Sequence, residues 1–269
     1  MGLPVVQIDA FTAEPFAGNP AAVLLLPVPR DVTWMQKVAR EMNLSETAFL
    51  VRRPAARGED PSFDLRWFTP ATEVDLCGHA TLASAHALWE DRHLPANIIA
   101  RFHTRSGVLT AERQGDWIEL NFPATPDHET PAPPGLADAL GVTPRYVGQS
   151  RFDYLVEVQS EAEVRELTPD LARLRKLPVR GVIVTSRAST SGVDFVSRFF
   201  APAAGVDEDP VTGSAHCCLT PYWSHKLGKP SMEARQLSAR GGVLRVHLDG
   251  DRVRLQGQAV TVLRGELIG

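Results

Sequence analysis

Short runs in which apolar and polar residues alternate dominate the chain, the period-two signature of half-buried β-strands. Such runs predict strands near 4–12, 21–26, 48–52, 63–68, 97–103, 107–113 and 117–122. A second series follows near 145–149, 153–158, 181–185, 194–200, 235–240, 243–248, 252–256 and 259–263. Phe16-Ala17-Gly18-Asn19-Pro20 is a turn, and Gln114-Gly115-Asp116 and Asp249-Gly250-Asp251 are hairpin signals. Helical spacing predicts a helix over 32–42, capped by Asp31, with Val32, Met35, Val38 and Ala39 on one face and its end at 43–47. A further helix is expected near 161–174. Two others, from 78 to about 90 and over 213–226, open at glycine and are built of small residues. In the first of these Ala80, Leu82, Ala83, Ala85, Ala87 and Leu88 lie nearly all round, which suits a helix enclosed by sheet.

The two series are related. Phe63, Arg66, Phe68, Pro70, Ala71, Val74 and Asp75 recur at a constant spacing of 132 as Phe195, Arg198, Phe200, Pro202, Ala203, Val206 and Asp207. Beyond them the spacing becomes 135: Gly78 and Ala80 match Gly213 and Ala215, and Arg105, Gly107, Val108 and Leu109 match Arg240, Gly242, Val243 and Leu244. An internal duplication is expected, with two similar lobes and an insertion between Asp207 and Gly213, in or beside which Asp209 lies. The proline-rich segment 123–134 then marks a linker between an N-terminal lobe, 1–124, and a C-terminal lobe, 135–269.

Duplicated structure builds matching walls, so chemistry is sought where the copies differ. His79 corresponds to Ser214, and Asp209 has no evident counterpart in the first copy. If the two helix starts meet over one cleft, Glu46, His79 and Asp209 surround it. Gly78, Gly213 and Ser214 would then offer backbone N–H groups and the positive end of the helix dipole to a carboxylate. Each of the three side chains also has a plainer reading: a surface glutamate, a turn aspartate before proline, a histidine near a helix start. No Gly-x-Ser-x-Gly elbow surrounds Ser214. His216, Cys217 and Cys218 lack metal-ligand spacing, so no metal is expected and the cysteines are taken as small core residues.

With 28 Lys+Arg against 32 Asp+Glu, a formal net charge of −4 and no block of like charge, nucleic acid and membrane surfaces are not expected partners. No signal-peptide pattern or membrane-length apolar run is evident, and three cysteines make no disulfide framework. A cytoplasmic location is expected.

Phe16-Ala17-Gly18-Asn19-Pro20, Leu44-Ser45-Glu46-Thr47 and Phe68-Thr69-Pro70-Ala71, the last leading to Gly78-His79-Ala80-Thr81-Leu82, resemble the motifs of the PhzF-like isomerase family. Glu208-Asp209-Pro210 leading to Thr212-Gly213-Ser214-Ala215 completes the set, and the resemblance spans essentially the whole chain. It implies an α+β fold like that of diaminopimelate epimerase: two pseudo-symmetric lobes, each a β-barrel-like sheet wrapped around a central helix. It also implies an interlobe site that works without metal or organic cofactor, and commonly a homodimer. Glu46 resembles the family's acid/base glutamate, His79 and Asp209 its polar partners, and Gly78, Gly213 and Ser214 its carboxylate donors. The epimerase relatives use a pair of cysteines at the helix starts. Cys77 matches one, whereas the other position falls in the Pro210/Val211 region, which speaks against a two-thiol racemase. The expected activity is a proton shift on a small carboxylate-bearing substrate. Amino-acid epimerisation, and carboxylate binding without catalysis, are the alternatives.

Overall fold

The computed structural model describes residues 2–54 and 59–268. The chain divides into two units, one of Met1–Asn121 with Gln256–Gly269, the other of Phe122–Leu255. The first contains β1 (Leu3–Ala10), β2 (Asn19–Leu26), β3 (Glu46–Arg52), β4 (Ser62–Phe68), β5 (Glu73–Val74), β6 (Ala100–Thr104), β7 (Gly107–Gln114) and most of β8 (Trp117–Pro123). Its helices are α1 (Val32–Met42) and α2 (Gly78–Glu90). The second contains β9 (His128–Glu129), β10 (Tyr146–Gln149), β11 (Asp153–Glu157), β12 (Gly181–Arg187), β13 (Phe195–Ala201), β14 (Val206–Asp209), β15 (Ser231–Gln236), β16 (Gly242–Asp249) and most of β17 (Arg252–Gly257). Between them run α3 (Leu136–Leu140), α4 (Glu161–Glu166), α5 (Leu171–Leu174) and α6 (Gly213–Leu227); the last strand, β18 (Ala259–Leu267), belongs to the first unit.

Each unit follows one pairing plan. In the first, β1–β2 is antiparallel, β2–β3 parallel, β3–β4 antiparallel, β4–β6 parallel and β6–β7 antiparallel. In the second, β10–β11, β11–β12, β12–β13, β13–β15 and β15–β16 repeat that order of senses. The sheet of each unit packs on its own long helix, α2 or α6. Residues 79–85 of α2 are buried without a break, as expected of a small-residue helix enclosed by sheet. In α6, Cys217 and Cys218 are buried among core residues such as Leu219 and Trp223.

Equivalent interactions tie equivalent strands. Arg66 on β4 makes a bidentate pair with Glu73 on β5, and Arg198 on β13 makes the same pair with Glu208 on β14. Trp67 pairs with Val74 as Phe199 pairs with Asp209. This register corrects the sequence alignment. Glu208 stands where Glu73 stands and Asp209 where Val74 stands, so Asp209 does have a counterpart. The extra residues fall earlier, between Ala203 and Glu208, where the chain leaves the 3₁₀ turn Pro202–Ala204 through Gly205, whose φ is +87°.

Other expectations shift locally. The N-cap of α1 is as anticipated, Asp31 Oδ1 accepting from Trp34 N–H at 2.9 Å, but Val32 is 49 % exposed and lies off the buried face of Met35, Val38 and Ala39. The single helix expected over 161–174 is two, α4 and α5. Pro169 disfavours helix at Thr168, and Leu167 is already extended at ψ 128°. The strand expected at 235–240 is β15, which ends at Gln236. Its parallel register with β13 fixes it, and the chain then turns with Gly241 N–H on Ser238 Oγ. Residues 123–134 are not a free linker. Ala124 N–H bonds Asp251 O, Thr125 N–H bonds Cys217 O, and β9 pairs with β10, all within the second unit. Residues 256–269 leave the expected C-terminal lobe because β18 pairs along the full length of β1.

Candidate active site

The site in the first unit begins with the turn between β1 and β2. Gly18 has φ +63°, and a Cβ there would stand 2.2 Å from Ala10 O, so only glycine lets the chain pass. Asp9 Oδ2 fixes the same turn by accepting Phe16 N–H at 2.7 Å. The result is that Asn19 is delivered, fully buried, to the first position of β2. The parallel pairing of β2 with β3 sets Glu46 opposite Ala21, at the start of β3.

His79, the second residue of α2, lies between these two side chains. Its Nδ1 is 3.1 Å from Asn19 Nδ2, and its Nε2 is 3.1 Å from Glu46 Oε2. The histidine side chain is 5 % exposed and that of Glu46 16 %. Glu46 Oε2 is buried and makes no hydrogen bond among the described residues beyond this ion-pair contact. Cys77, the N-cap residue of α2, places Sγ 3.5 Å from His79 Nδ1.

Burial opposes a charged imidazole, but the neighbouring Cys77 and Glu46 outweigh it and hold the His79 pKa well above 6.5. Burial first, and then the Glu46 charge, push the Cys77 thiol up to about 11. A thiol so placed is neutral at neutral pH. Glu46, Cys77 and His79 together also offer three metal-ligating atoms within 4.8 Å of one another.

The second unit carries its own group. Asp209 ends β14, and its Oδ2 accepts from Thr212 Oγ1 at 2.5 Å. Gln236, 1 % exposed at the end of β15, braces both residues: its Nε2 donates to Asp209 O at 2.7 Å, and its Oε1 accepts Thr212 N–H at 2.9 Å. Thr212 is the N-cap residue of α6, the position that Cys77 holds on α2. Threonine at the cap, rather than a residue of the 210–211 region, therefore stands where a second thiol would be. Gly213 and Ser214 are the first two residues of α6. The Ser214 hydroxyl accepts from Arg180 at 3.1 Å, and Arg180 is clamped by two bonds to buried Asp153. Burial raises the Asp153 pKa, with Arg180 opposing it. His216 donates from Nδ1 to Thr212 O at 2.8 Å, and burial lowers its pKa to about 4, so it is a neutral core histidine.

Among the anticipated residues, Glu46 and His79 are in contact and Gly78 precedes His79 in α2, while Asp209 lies four residues before the start of α6 at Gly213-Ser214. Asn19, Thr212, Gln236 and Arg180 were not anticipated as site residues. Asn19 and Thr212 sit inside the quoted motifs. Gln236 and Arg180 reach their partners from strands or turns remote in sequence, and no local pattern marks them.

The first unit thus sets a half-buried carboxylate against a buried imidazole at a helix start. The family model of phenazine biosynthesis-like proteins (PhzC-PhzF) matches residues 8–265, and the chain belongs to that family. A relative from Halalkalibacterium halodurans, named an uncharacterized isomerase, is 56 % identical over 269 residues, 100 % of this chain and 99 % of the relative. Another of that description, from Pseudomonas aeruginosa, is 49 % identical over 267 residues, 99 % of each chain. Among solved structures, a PhzF family protein of Enterococcus faecalis superposes with a TM-score of 0.93 at 39 % identity, covering 100 % of both chains. The fold is that of this family, two pseudo-symmetric lobes of sheet around a central helix.

Proposed function

We propose that the protein is an isomerase that moves a proton on the carbon skeleton of a small carboxylate-bearing substrate. The observation that carries this reading is the Glu46–His79 contact, in which a buried carboxylate oxygen has the His79 ring nitrogen Nε2 3.1 Å away as its polar neighbour. The naming of the relatives as isomerases supports the reaction class.

In this mechanism the Glu46 carboxylate takes a proton from a carbon acidified by an adjacent unsaturated or carbonyl system, and returns it to a second carbon. His79 meets the carboxylate through Nε2 and holds or relays the proton, while the Asn19 side chain stands against Nδ1 and keeps the ring in place. The first-turn N–H groups of α2, beginning at Gly78, point away from the helix without intrahelical partners and suit the substrate carboxylate. They also favour negative charge developing as the C–H bond breaks. We propose that Asp209, Gly213 and Ser214 take part in turnover as well, with Thr212 and Gln236 fixing the Asp209 carboxylate. The scheme uses carboxylate, imidazole and helix ends, and calls on no metal or organic cofactor. The common pairing plan of the two units is read as an internal duplication, and the family resemblance as pointing to a homodimer, which light scattering would test.

Epimerisation through Cys77 is the weaker reading, because a thiol pushed up to about 11 is a poor proton acceptor at neutral pH. The test is a panel of β,γ-unsaturated carboxylic acids and α-amino acids incubated in heavy water, with deuterium incorporation followed by NMR. Glu46→Gln keeps the shape and removes the acid, and is expected to slow incorporation by about 10²–10⁴-fold. Undiminished incorporation by Glu46→Gln would end the assignment; incorporation only at the α-carbon of amino acids would move it to epimerisation.

A further inference from the structure

A buried indole N–H ordinarily finds an acceptor, because leaving it bare forfeits the hydrogen bond it made to water. Trp89 Nε1 donates to Ile98 O at 3.1 Å and Trp223 Nε1 to Thr185 Oγ1 at 2.9 Å. Trp67, 1 % exposed on β4, differs: its Nε1 is buried and has no partner among the described residues. We propose that Trp67 is a substrate-binding residue whose indole N–H donates to a carbonyl oxygen next to the carbon from which Glu46 takes its proton. The substrate class is thereby narrowed to keto acids. This inference rests on the proton-transfer reading of Glu46 and adds the group that meets the displaced charge.

Strand pairing sets the indole beside the carboxylate. Ala48 stands opposite Trp67 in the antiparallel pair β3–β4, and Glu46 lies two residues before Ala48, so all three side chains share one face of the sheet. That is the face of α2, whose His79 meets Glu46 at 3.1 Å. Glu46 and Trp67 are diagonal neighbours, about 7–8 Å apart and within reach of long and aromatic side chains. The second unit shows the reach directly. Ile183 pairs with Phe199 as Ala48 pairs with Trp67, so Gly181 answers to Glu46 and Phe199 to Trp67. A Cβ on Gly181 would stand 2.5 Å from the Phe199 ring, so a ring at this place on the strand extends to the position that Glu46 holds. The two differences between the copies go together: a carboxylate and an N–H in the first unit, a glycine and a phenyl ring in the second.

The pair of groups is of opposite sense and equally enclosed. Glu46 Oε2 and Trp67 Nε1 are both buried, one an acceptor facing His79, the other an unspent donor. An acid that brings a C–H bond to Glu46 brings the adjoining carbonyl toward the indole. As Glu46 takes the proton, the C–H electron pair moves into the carbonyl and leaves negative charge on its oxygen. The indole keeps its own proton and stabilises that oxygen through the hydrogen bond. Return of the proton from Glu46 to a second carbon, conjugated with the first, draws the electron pair back and restores the carbonyl. An acid without the oxygen leaves the N–H bare in the complex, and the site discriminates against it.

The binding test needs no turnover. Indole resonances of the ¹⁵N-labelled full-length chain are recorded by NMR, and the Trp67 signal is the one that vanishes in Trp67→Phe. In the free protein it should lie upfield of the signal of Trp89, whose proton is hydrogen-bonded. Levulinate, α-ketobutyrate and α-ketoglutarate are then titrated beside valerate, butyrate and glutarate, which carry CH₂ in place of the carbonyl. At least one keto acid should move the Trp67 signal downfield to saturation and bind at least about tenfold more tightly than its counterpart, a preference that Trp67→Phe erases. The same variant should keep the urea midpoint of the unmodified chain, because the N–H it removes is unspent, whereas Trp89→Phe should lower it. A Trp67 signal that no keto acid moves overturns the proposal. A midpoint that falls in Trp67→Phe as far as in Trp89→Phe also overturns it, since the N–H would then be a structural donor. A moved signal with no deuterium entering the acid leaves the donor standing and removes the proton-transfer reading of Glu46. Deuterium entering an acid that leaves the signal in place does the reverse.

Discussion

The stability of the second unit should depend on pH through one carboxylate, Glu161. This residue begins α4 and is 6 % exposed. Its Oε2 accepts Ser189 N–H at 2.8 Å, Ser189 Oγ–H at 2.9 Å and Thr190 N–H at 3.1 Å, and its Oε1 accepts from Thr190 Oγ1 at 3.0 Å and Arg165 at 2.8 Å. Burial works against the charge, but these donors prevail and bring the Glu161 pKa from 4.5 down to about 2. A carboxyl with a depressed folded-state pKa contributes stability that is complete above 4.5 and lost as the pH falls toward 2. At roughly 1.4 kcal/mol per pH unit the full contribution is about 3 kcal/mol, an upper figure because the Arg165 side chain is 58 % exposed and its share is screened. Glu161→Gln retains the size but cannot accept from five donors. Urea unfolding of both proteins should give a deficit near that figure at pH 7, shrinking by about 2 kcal/mol at pH 3, where the unfolded chain's carboxyl has taken up its proton while the native one is still largely ionised. A deficit that stays constant from pH 7 to pH 3 would refute the argument, because the loss would then come from packing alone.

Three other outcomes follow from the site geometry. Cys77 should resist alkylation by iodoacetamide at pH 7 in the folded protein and react only at markedly higher pH, since its thiol is buried and pushed up to about 11; rapid labelling traced to Cys77 by mass spectrometry would contradict this. Gly18→Ala forces a side chain into positive φ and against Ala10 O, so urea unfolding should show a loss of more than about 1 kcal/mol, together with a changed His79 resonance as Asn19 moves. Gln236→Leu leaves Thr212 N–H and Asp209 O without their side-chain partner at a cost of about 1–3 kcal/mol each, whereas Gln236→Glu retains the acceptor for Thr212 N–H and should lose less; equal losses in the two variants would discount the network.

What the sequence revealed, and what it hid, divides along a physical line. Helix α1 was legible because its information is local: Asp31 caps it, apolar residues recur at helical spacing, and Asn43 takes the left-handed conformation at its end. The enclosed helices were legible from small residues on every side. The helix expected over 161–174 is broken by a local signal, Pro169, which outranks a run of good helix formers. The site shows the same division. Glu46 and His79 could be nominated from motifs, but their contact depends on a parallel pairing between β2 and β3 that no window of residues encodes. Gln236 shows this most plainly: its partners Asp209 and Thr212 lie 27 and 24 residues away, and only the parallel register of β15 on β13 brings the amide to them.

The same register changes what Asp209 means. Aligned by sequence alone it is an inserted residue. Aligned by strand pairing it occupies the place of Val74, with the Arg198–Glu208 pair beside it matching Arg66–Glu73. At the helix cap that follows, Cys77 in one unit answers to Thr212 in the other. The two units thus share a scaffold in which paired strands and a capped helix are constant, and the positions where they differ include Val74 against Asp209, Cys77 against Thr212 and His79 against Ser214. A proton-transferring function would be expected to separate the copies at such points, because a side chain can change there without disturbing the arginine–glutamate pair that holds the strands together. If Asp209→Val, which restores the residue of the first unit, leaves both the fold and deuterium incorporation intact, the divergence at that position is neutral and the chemistry rests with Glu46 and His79 alone.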